Sequence, residues 1–516
     1  MARETALRAD AGLWFERQYV RRWRVLLTGA IVGAIAALGQ APFGVFPATL
    51  IGLALGAALI GRAPTARWAG FATWSLGLGY FTVTLIWIIQ PFLVDIARHG
   101  WMAPFALFFM AGGMALFWGL AGWGAMKLSR GRVFWLALGA AIGVAELLRG
   151  WIFGGFPWGG PGLIWIDTPV AGLARVIGVY GLSALTVALG AAIWPAVASR
   201  WGRIGWFAAV ASVAVISMVI SPDAPGNTGK IVRLVQPNAP QHLKWDQDWI
   251  MTFFERAVAL SAHDGTADLV IWPETSIPSP LGRAPELERM AAEAAAPAPL
   301  VAGIQRVEGR TWRNALALYE GPGEPVWVYD KHHLVPFGEY VPLGNLAARF
   351  GIYGFAQQDG NGYAPGPGPL VKPLPDDLGA ILPLICYEMI FPRDIRGAET
   401  RADWILQATN DAWFGTFSGP QQHLVQARFR AIEFGLPIAR AANTGISAMI
   451  DATGRVTASL PLGEAGAIEA DLPRALPDTF YSRIGDMPLV VLSFVVLAGL
   501  GVAGWMKRID RGTAGR

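Results

Sequence analysis

The sequence runs to 516 residues, of which 53% are hydrophobic and 15% charged, with a formal net charge of +4. Soluble domains carry about 25% charged residues, so this composition, with its mean hydropathy of +0.40, excludes an ordinary soluble protein and reads as a membrane protein with room for two or three domains. The small positive excess calls for no nucleic acid, because basic cytoplasmic loops account for it, and the single cysteine, Cys386, excludes an intramolecular disulfide.

Residues 1–24 are polar and arginine-rich, with Arg3, Arg8, Arg17, Arg21, Arg22 and Arg24. No clear small-residue cleavage site follows the first apolar run and further runs succeed it, so the start reads as an uncleaved anchor. Apolar runs recur at about 25–40, 43–61, 68–90, 101–126, 133–153, 169–198 and 204–221, each near the roughly 20 residues that cross a hydrocarbon core. Abundant Gly and Ala allow close helix contacts in lipid. Basic residues cluster in alternate loops: Arg62 and Arg67 in the second, Lys127, Arg130 and Arg132 in the fourth, Arg200 and Arg203 in the sixth. By the positive-inside rule the N-terminus is cytoplasmic and the chain after residue 221 lies outside. A last run, Met487 to Met506, returns it and ends in Lys507, Arg508 and Arg511. Eight spans with both termini cytoplasmic are expected. The fifth loop, Arg149 to Trp165, is rich in Gly, Pro and aromatics and cannot be helical throughout. It reads as an interfacial turn or as the wall of a lipid-facing cleft. Glu146 and Arg149 are functional candidates at membrane depth, or a pair at the interface.

From about 228 to 478 short apolar strands alternate with polar helical stretches. Strands are expected at 231–236, 268–272, 300–305, 315–319, 326–329, 380–385, 404–409 and 447–450, and helices at 249–262, 285–295 and 421–434. That alternation argues an α/β domain. The chain divides into an N-terminal transmembrane domain (1–224, seven spans), an extracytoplasmic domain (225–480) and a C-terminal transmembrane helix with a cytoplasmic tail (481–516).

Three of these strands end in chemistry. Asp268–Trp272 leads through Pro273 to Glu274, Val326–Tyr329 leads to Lys331, and Ala380–Ile385 ends at Cys386. Singly, each is a strand-end charge or a small buried thiol. Together they supply a carboxylate to take a thiol proton, an ammonium to lower the thiol pKa and hold an oxyanion, and a thiol to carry an acyl group.

This Glu, Lys, Cys order resembles the nitrilase superfamily. Trp272-Pro273-Glu274, the run from Tyr329 through Lys331 and Glu339 to Pro342, and Cys386-Tyr387-Glu388 are similar to one membrane-embedded branch of it, the bacterial apolipoprotein N-acyltransferases, over essentially the whole chain. The resemblance implies a four-layer α-β-β-α sandwich carried by the membrane domain. It implies that Cys386 takes an acyl chain from a membrane phospholipid and passes it to the N-terminal amine of diacylglyceryl-cysteine apolipoproteins. Glu274 is then the acid/base, and Lys331 with the Tyr387 N–H holds the oxyanion. Glu339 and Glu388 support them, and Asn410, Trp413 and Phe414 line the pocket. Trp245 reads as a lid or acceptor contact, or as a membrane-edge Trp. A monomer in the bacterial inner membrane is expected, with the catalytic domain periplasmic and no cofactor.

Adjacent His332 and His333 would point to opposite faces of a strand, so no metal is expected. No Gly-rich phosphate cradle and no Gly-x-Ser-x-Gly elbow is present. The Gly/Pro-rich loop from Tyr353 to Pro369 reads as an irregular loop or as a lid. Two rival readings remain: a membrane-tethered amidase acting on a small extracytoplasmic amide, and a transporter or receptor that binds without catalysis.

Overall fold

The computed structural model describes residue 14 and residues 16–131, 133–262, 264–341 and 362–513. It forms two compact units, one of Met1–Ile89, Trp101–Ser221 and Arg483–Arg516, the other of Gln90–Gly100 and Pro222–Ser482.

The first unit is helical. Helices Arg22–Ala37, Phe46–Gly61, Ala66–Thr84, Ala103–Leu128, Phe134–Arg149, Ala174–Ala196, Arg200–Ile220 and Met487–Thr513 fall on the eight apolar runs. Small residues let backbones touch: a Cβ on Gly33 or Gly79 would stand 1.9 Å from a carbonyl oxygen of the neighbouring helix. The expectation of eight spans is corrected. Among the described residues four helical segments are long and apolar enough to cross a membrane, Ile96–Leu128, Pro169–Ala196, Arg200–Ile220 and Met487–Met506, or up to five if the bent pair Ala66–Thr84 and Ile86–Leu93 is one span. The reason is length. Helices Arg22–Ala37, Phe46–Gly61 and Phe134–Arg149 have 16 residues each, which rise about 24 Å against a hydrocarbon core of about 30 Å.

The fifth loop is irregular, as its composition requires, with short 3-10 turns at Ile152–Gly154 and Pro161–Trp165. Trp158 and Trp165 are buried in it while Phe153 is exposed. Glu146 and Arg149 do pair, and both are buried. Arg149 also donates to the carbonyl of Trp158 (2.8 Å), and Glu146 accepts from the indole of Trp118 (2.8 Å). A buried ion pair that also satisfies a loop carbonyl anchors that loop to its helix.

The second unit is a sandwich of two six-stranded sheets. The first has the order β12-β1-β2-β3-β4-β5 and the second β11-β10-β9-β8-β7-β6. The strands are β1 Asn227–Gln236, β2 Leu269–Ile271, β3 Leu300–Glu308, β4 Thr311–Tyr319, β5 Trp327–Asp330, β6 Lys372–Pro373, β7 Ala380–Ile385, β8 Trp404–Thr409, β9 Ile438–Ala442, β10 Ser447–Ile450, β11 Val456–Leu460 and β12 Gly466–Pro473. The apolar faces of the sheets meet in one core, with Val232, Leu234, Ile271 and Leu316 from one side and Ile381, Leu406, Ala439 and Met449 from the other. Helices Ile250–Ser261 and Pro285–Ala295 cover the outer face of the first sheet through Phe254, Ala257 and Ala291. Helix Gly419–Phe434 covers the second through Ala427, Ala431 and Phe434. The layering is therefore α-β-β-α. Strands β2, β7 and β8 are buried on both faces and run parallel to neighbours, which is why they read as continuous apolar runs.

Candidate active site

Three strand ends build the site. After β2 the chain turns through Trp272-Pro273-Glu274 over Gly303 of β3. A Cβ on Gly303 would lie 2.3 Å from the Pro273 carbonyl oxygen and 2.4 Å from the Thr275 nitrogen, so only glycine lets the turn settle there. The Gly303 carbonyl accepts from the N–H groups of Ser276 (2.8 Å) and Ile277 (3.1 Å). Thr275 takes a left-handed φ of +47°. The Glu274 carboxylate is buried and clamped at both oxygens. Oε1 accepts from the Asn314 side-chain amide (2.6 Å) and Oε2 from the Asn410 backbone N–H (2.9 Å).

Lys331 follows β5. Its N–H donates to the Asn314 carbonyl (2.8 Å), and its ammonium, 1% exposed, lies 2.9 Å from Glu339 Oε1 and 3.7 Å from Glu274 Oε1. Burial pushes this ammonium down, but Glu339 and then Glu274 outweigh it and hold the group charged, above its ordinary value. Glu339 is itself fixed, since Oε2 accepts from the Val335 N–H (2.8 Å) and Oε1 also from Asn314 (3.2 Å).

Cys386 stands at the end of β7 and opens the 3-10 turn Cys386–Ile390. Its φ of +52° is left-handed, a conformation costing about 1–3 kcal/mol for a non-glycine residue, held only where surrounding structure imposes it. Glu388 is part of what imposes it. Its buried carboxylate accepts from the Ile385 N–H (2.6 Å), from the N–H groups of His332 (2.7 Å) and His333 (3.1 Å), and from the Tyr329 hydroxyl (3.0 Å). One carboxylate thus joins the cysteine turn to the chain leaving Lys331. Tyr387 is buried, edge-on to His333 and Phe391. Lys331 pulls the thiol pKa down, as expected, but it is outweighed. Burial and then Glu274 push the thiol up by more than Lys331 pulls it down, so the resting group is a thiol.

The histidines do not alternate across a strand, because β5 ends at Asp330. His332 Nδ1 lies 2.6 Å from Glu388 Oε1, and His333 Nδ1 lies 2.7 Å from Asp394 Oδ2. Burial lowers His332, but bonds to Asp394 and Glu388 raise it overall to about 9.

The binding candidates are placed unevenly. Asn410 touches Glu274 through its N–H, and its side chain joins Gln241 and Asn443. Phe414 packs on the central core and edge-on to His423 (5.7 Å). Trp413 lies in the short turn Asp411–Phe414 and is half-buried. Trp245 is 42% exposed, next to buried Lys244. Of the lid candidate, residues 353–361 lie outside the described residues.

Sequence reasoning missed three features. Asn314, in mid-β4, bridges Glu274 and Glu339. Lys244 donates from Nζ to the Glu274 carbonyl and the Thr275 hydroxyl, both at 2.9 Å. Beneath the cysteine, His423 Nε2 lies 3.2 Å from the Cys386 carbonyl oxygen, His423 Nδ1 lies 2.9 Å from Asp411 Oδ1, and Arg440 pairs with Asp411. All three side chains of this network are fully buried. Burial raises Asp411, but Arg440 and His423 bring it down to about 2. A polar residue set in an otherwise apolar strand was the available signal for Arg440, and an amide directly before the apolar run Ala315–Tyr319 was that for Asn314.

A buried thiol, a clamped carboxylate and a held ammonium converge here, a set suited to acyl transfer through a covalent intermediate. A family profile described as carbon-nitrogen hydrolase matches residues 212–479, and one described as apolipoprotein N-acyltransferase N-terminal domain matches residues 32–192. The chain is 38% identical to an apolipoprotein N-acyltransferase of Caulobacter vibrioides, covering 93% of this chain and 95% of that one. It is 36% identical to another of Bradyrhizobium diazoefficiens, covering 91% and 93%. Among solved structures an amidase from Nesterenkonia sp. aligns over 52% of this chain and 98% of its own at 20% identity and a TM-score of 0.35.

Proposed function

The chain belongs to the apolipoprotein N-acyltransferase family, and from that premise we propose that it moves an acyl chain from a membrane phospholipid to the N-terminal amine of a diacylglyceryl-cysteine apolipoprotein, with Glu274, Lys331 and Cys386 as the catalytic residues. The Cys386 thiol attacks the ester carbonyl while Glu274 takes its proton. The Lys331 ammonium and the Tyr387 N–H hold the oxyanion. The ester C–O bond breaks, Glu274 protonates the leaving alkoxide, a lysophospholipid departs and a thioester stays on Cys386. The acceptor amine then attacks the thioester, Glu274 takes the amine proton, the C–S bond breaks, and the proton passes to the thiolate. The cycle closes with the thiol and the carboxylate restored.

The observation that carries this reading is the position of Lys331, 3.7 Å from Glu274 and 2.9 Å from Glu339, with Cys386 inside the same field. Glu274 is a base whose two oxygens are oriented before substrate arrives. A thiol raised at rest fits a mechanism in which the proton leaves as the carbon–sulfur bond forms, rather than a pre-formed thiolate exposed to oxidation. Glu339 positions the ammonium, Glu388 and Tyr387 hold the cysteine turn, and Asn410, Trp413, Phe414 and Trp245 are assigned to substrate contact.

We assign residues 225–480 to the catalytic domain on the periplasmic side of the inner membrane, with 1–224 and 481–516 as its membrane parts and both termini cytoplasmic. The alternation of basic loops supports that sidedness. The protein is assigned as a monomer, with the bilayer supplying both lipid substrates. The test is transfer itself. Purified protein given phospholipid and then a diacylglyceryl-cysteine peptide is expected to add one acyl chain to the peptide amine, and Lys331→Met to abolish it. Release of free fatty acid at the same rate with and without peptide would overturn the reading in favour of a hydrolase.

A further inference from the structure

Lys244 is buried, 6% exposed, yet takes no part in the mechanism above. A lysine is almost never fully buried unless paired. Its ammonium donates to the Glu274 backbone carbonyl and to the Thr275 hydroxyl, each at 2.9 Å. These are the two residues of the turn that presents the base, and Thr275 holds a left-handed φ of +47°. From the other side the same turn is held by the Gly303 carbonyl. Lys244 therefore closes a clamp on a strained turn.

Charge counting gives it a second task. The Glu274 and Glu339 carboxylates face the single ammonium of Lys331, leaving one negative charge in excess in a buried pocket. Moving the Cys386 proton to Glu274 does not alter that sum, and neither does turning the thiolate into an oxyanion. An uncompensated buried charge is costly, and here it opposes the charge that must form on sulfur. Among these groups Lys244 brings the sum to zero, and the Asp411 carboxylate that also acts on Cys386 is matched by Arg440.

We infer that Lys244 is a positioning residue of the acyl-transfer site, a second cation that holds the Glu274 turn and offsets the excess negative charge beside Cys386. The inference rests on Cys386 acting as the nucleophile. The charged and titratable groups acting on Lys244 are Glu274 and Cys386, and the Trp245 ring lies 5.8 Å from its ammonium. Burial lowers the Lys244 ammonium to about 8 against the pull of those two groups, so the cation is present below that pH and lost above it.

Because Cys386 is the sole cysteine, iodoacetamide alkylation of the full-length protein in detergent, followed by intact mass, reads this thiol alone and needs no lipid substrate. Rates are measured from pH 6 to 10 for the parent, Lys244→Arg and Lys244→Met, with melting temperature as a check on folding. Below pH 8 Lys244→Met is expected to react about tenfold more slowly than the parent, the effect of raising the thiol pKa by about one unit. Above pH 8 the two are expected to converge, because the parent has lost its own cation. Lys244→Arg is expected to follow the parent below pH 8 and to exceed it above, its guanidinium remaining charged. Three parallel profiles would overturn the proposal and leave Lys244 a purely structural lysine. Should Lys244→Met fail to fold, Lys244→Gln takes its place, and a rate equal to the parent's below pH 8 overturns the proposal. A parent that alkylates yet never gains acyl mass from phospholipid would instead remove the nucleophile on which both this inference and the acyl-transfer reading stand.

Discussion

Neutralising Glu339 as Glu339→Gln tests how the pocket keeps Lys331 charged and in place. At an effective dielectric of about 20, Coulomb attraction is about 6 kcal/mol at the Glu339 distance and between about 4 and 5 kcal/mol at the Glu274 distance. More than half of the ammonium's support therefore comes from Glu339, which lies at 2.9 Å against 3.7 Å. These gross figures shrink against desolvation, and breaking one side of a buried pair costs about 3–5 kcal/mol. Since Glu274 remains, the lower end applies. About 3 kcal/mol corresponds to a melting temperature lower by about 6–12 °C for a domain of this size. Activity is expected to fall by more than stability alone explains, because Lys331 then leans on Glu274 and draws electron density from the base. The assay is thermal melting of the detergent-solubilised protein beside its initial rate of thioester formation. Glu339→Gln with the parental melting temperature and rate would refute the assignment of Glu339 as the anchor of Lys331.

Two further outcomes follow from the site. His423→Phe removes the contact to the Cys386 carbonyl, whose peptide plane also carries the Tyr387 N–H; a lost hydrogen bond of about 1 kcal/mol predicts kcat about five- to tenfold lower with the donor KM unchanged, and a raised KM with normal kcat would count against a role in holding that peptide. His332 has a folded-state pKa raised from 6.5 to about 9, so its stabilisation is complete below about 6.5 and is lost as pH rises through about 9; melting temperature is expected to decline across that window, His332→Gln is expected to flatten the decline, and an equal decline in both proteins would contradict it.

The three strand ends were legible because β2, β5 and β7 are short apolar runs that stop at Glu274, Lys331 and Cys386 after at most a few residues. Strands β2 and β7, buried on both faces and parallel to a neighbour, leave no alternation to misread, whereas β5 is an antiparallel edge strand that alternates buried and half-buried residues. Strand β9, Ile438–Ala442, was hidden because its sequence, Ile-Ala-Arg-Ala-Ala, carries a buried arginine whose partner, Asp411, is 29 positions away. Strands β11 and β12 are partly exposed and lack the apolar runs that marked the others. The count of membrane spans was overestimated because hydropathy reports apolar length along the sequence, whereas crossing needs helical length, and three of the runs fold into 16-residue helices. Lys244 was passed over because a lysine in the polar run His242-Leu-Lys-Trp-Asp246 reads as surface. Its burial is decided by the Glu274 turn, 30 positions downstream. The Asp411–His423–Arg440 network was equally invisible, since its members come from a turn, a helix and a strand that only the fold brings together.

The central claim is that Cys386 carries the acyl chain, and the intact mass of the protein tests it most directly. Incubated with phospholipid and no acceptor, the parent is expected to gain the mass of one acyl chain, to lose it on treatment with hydroxylamine, and to discharge it when a diacylglyceryl-cysteine peptide is added. Cys386→Ala is expected to gain nothing. An adduct that persists in Cys386→Ala, or a parent that binds phospholipid and never acquires the acyl mass, would contradict the account.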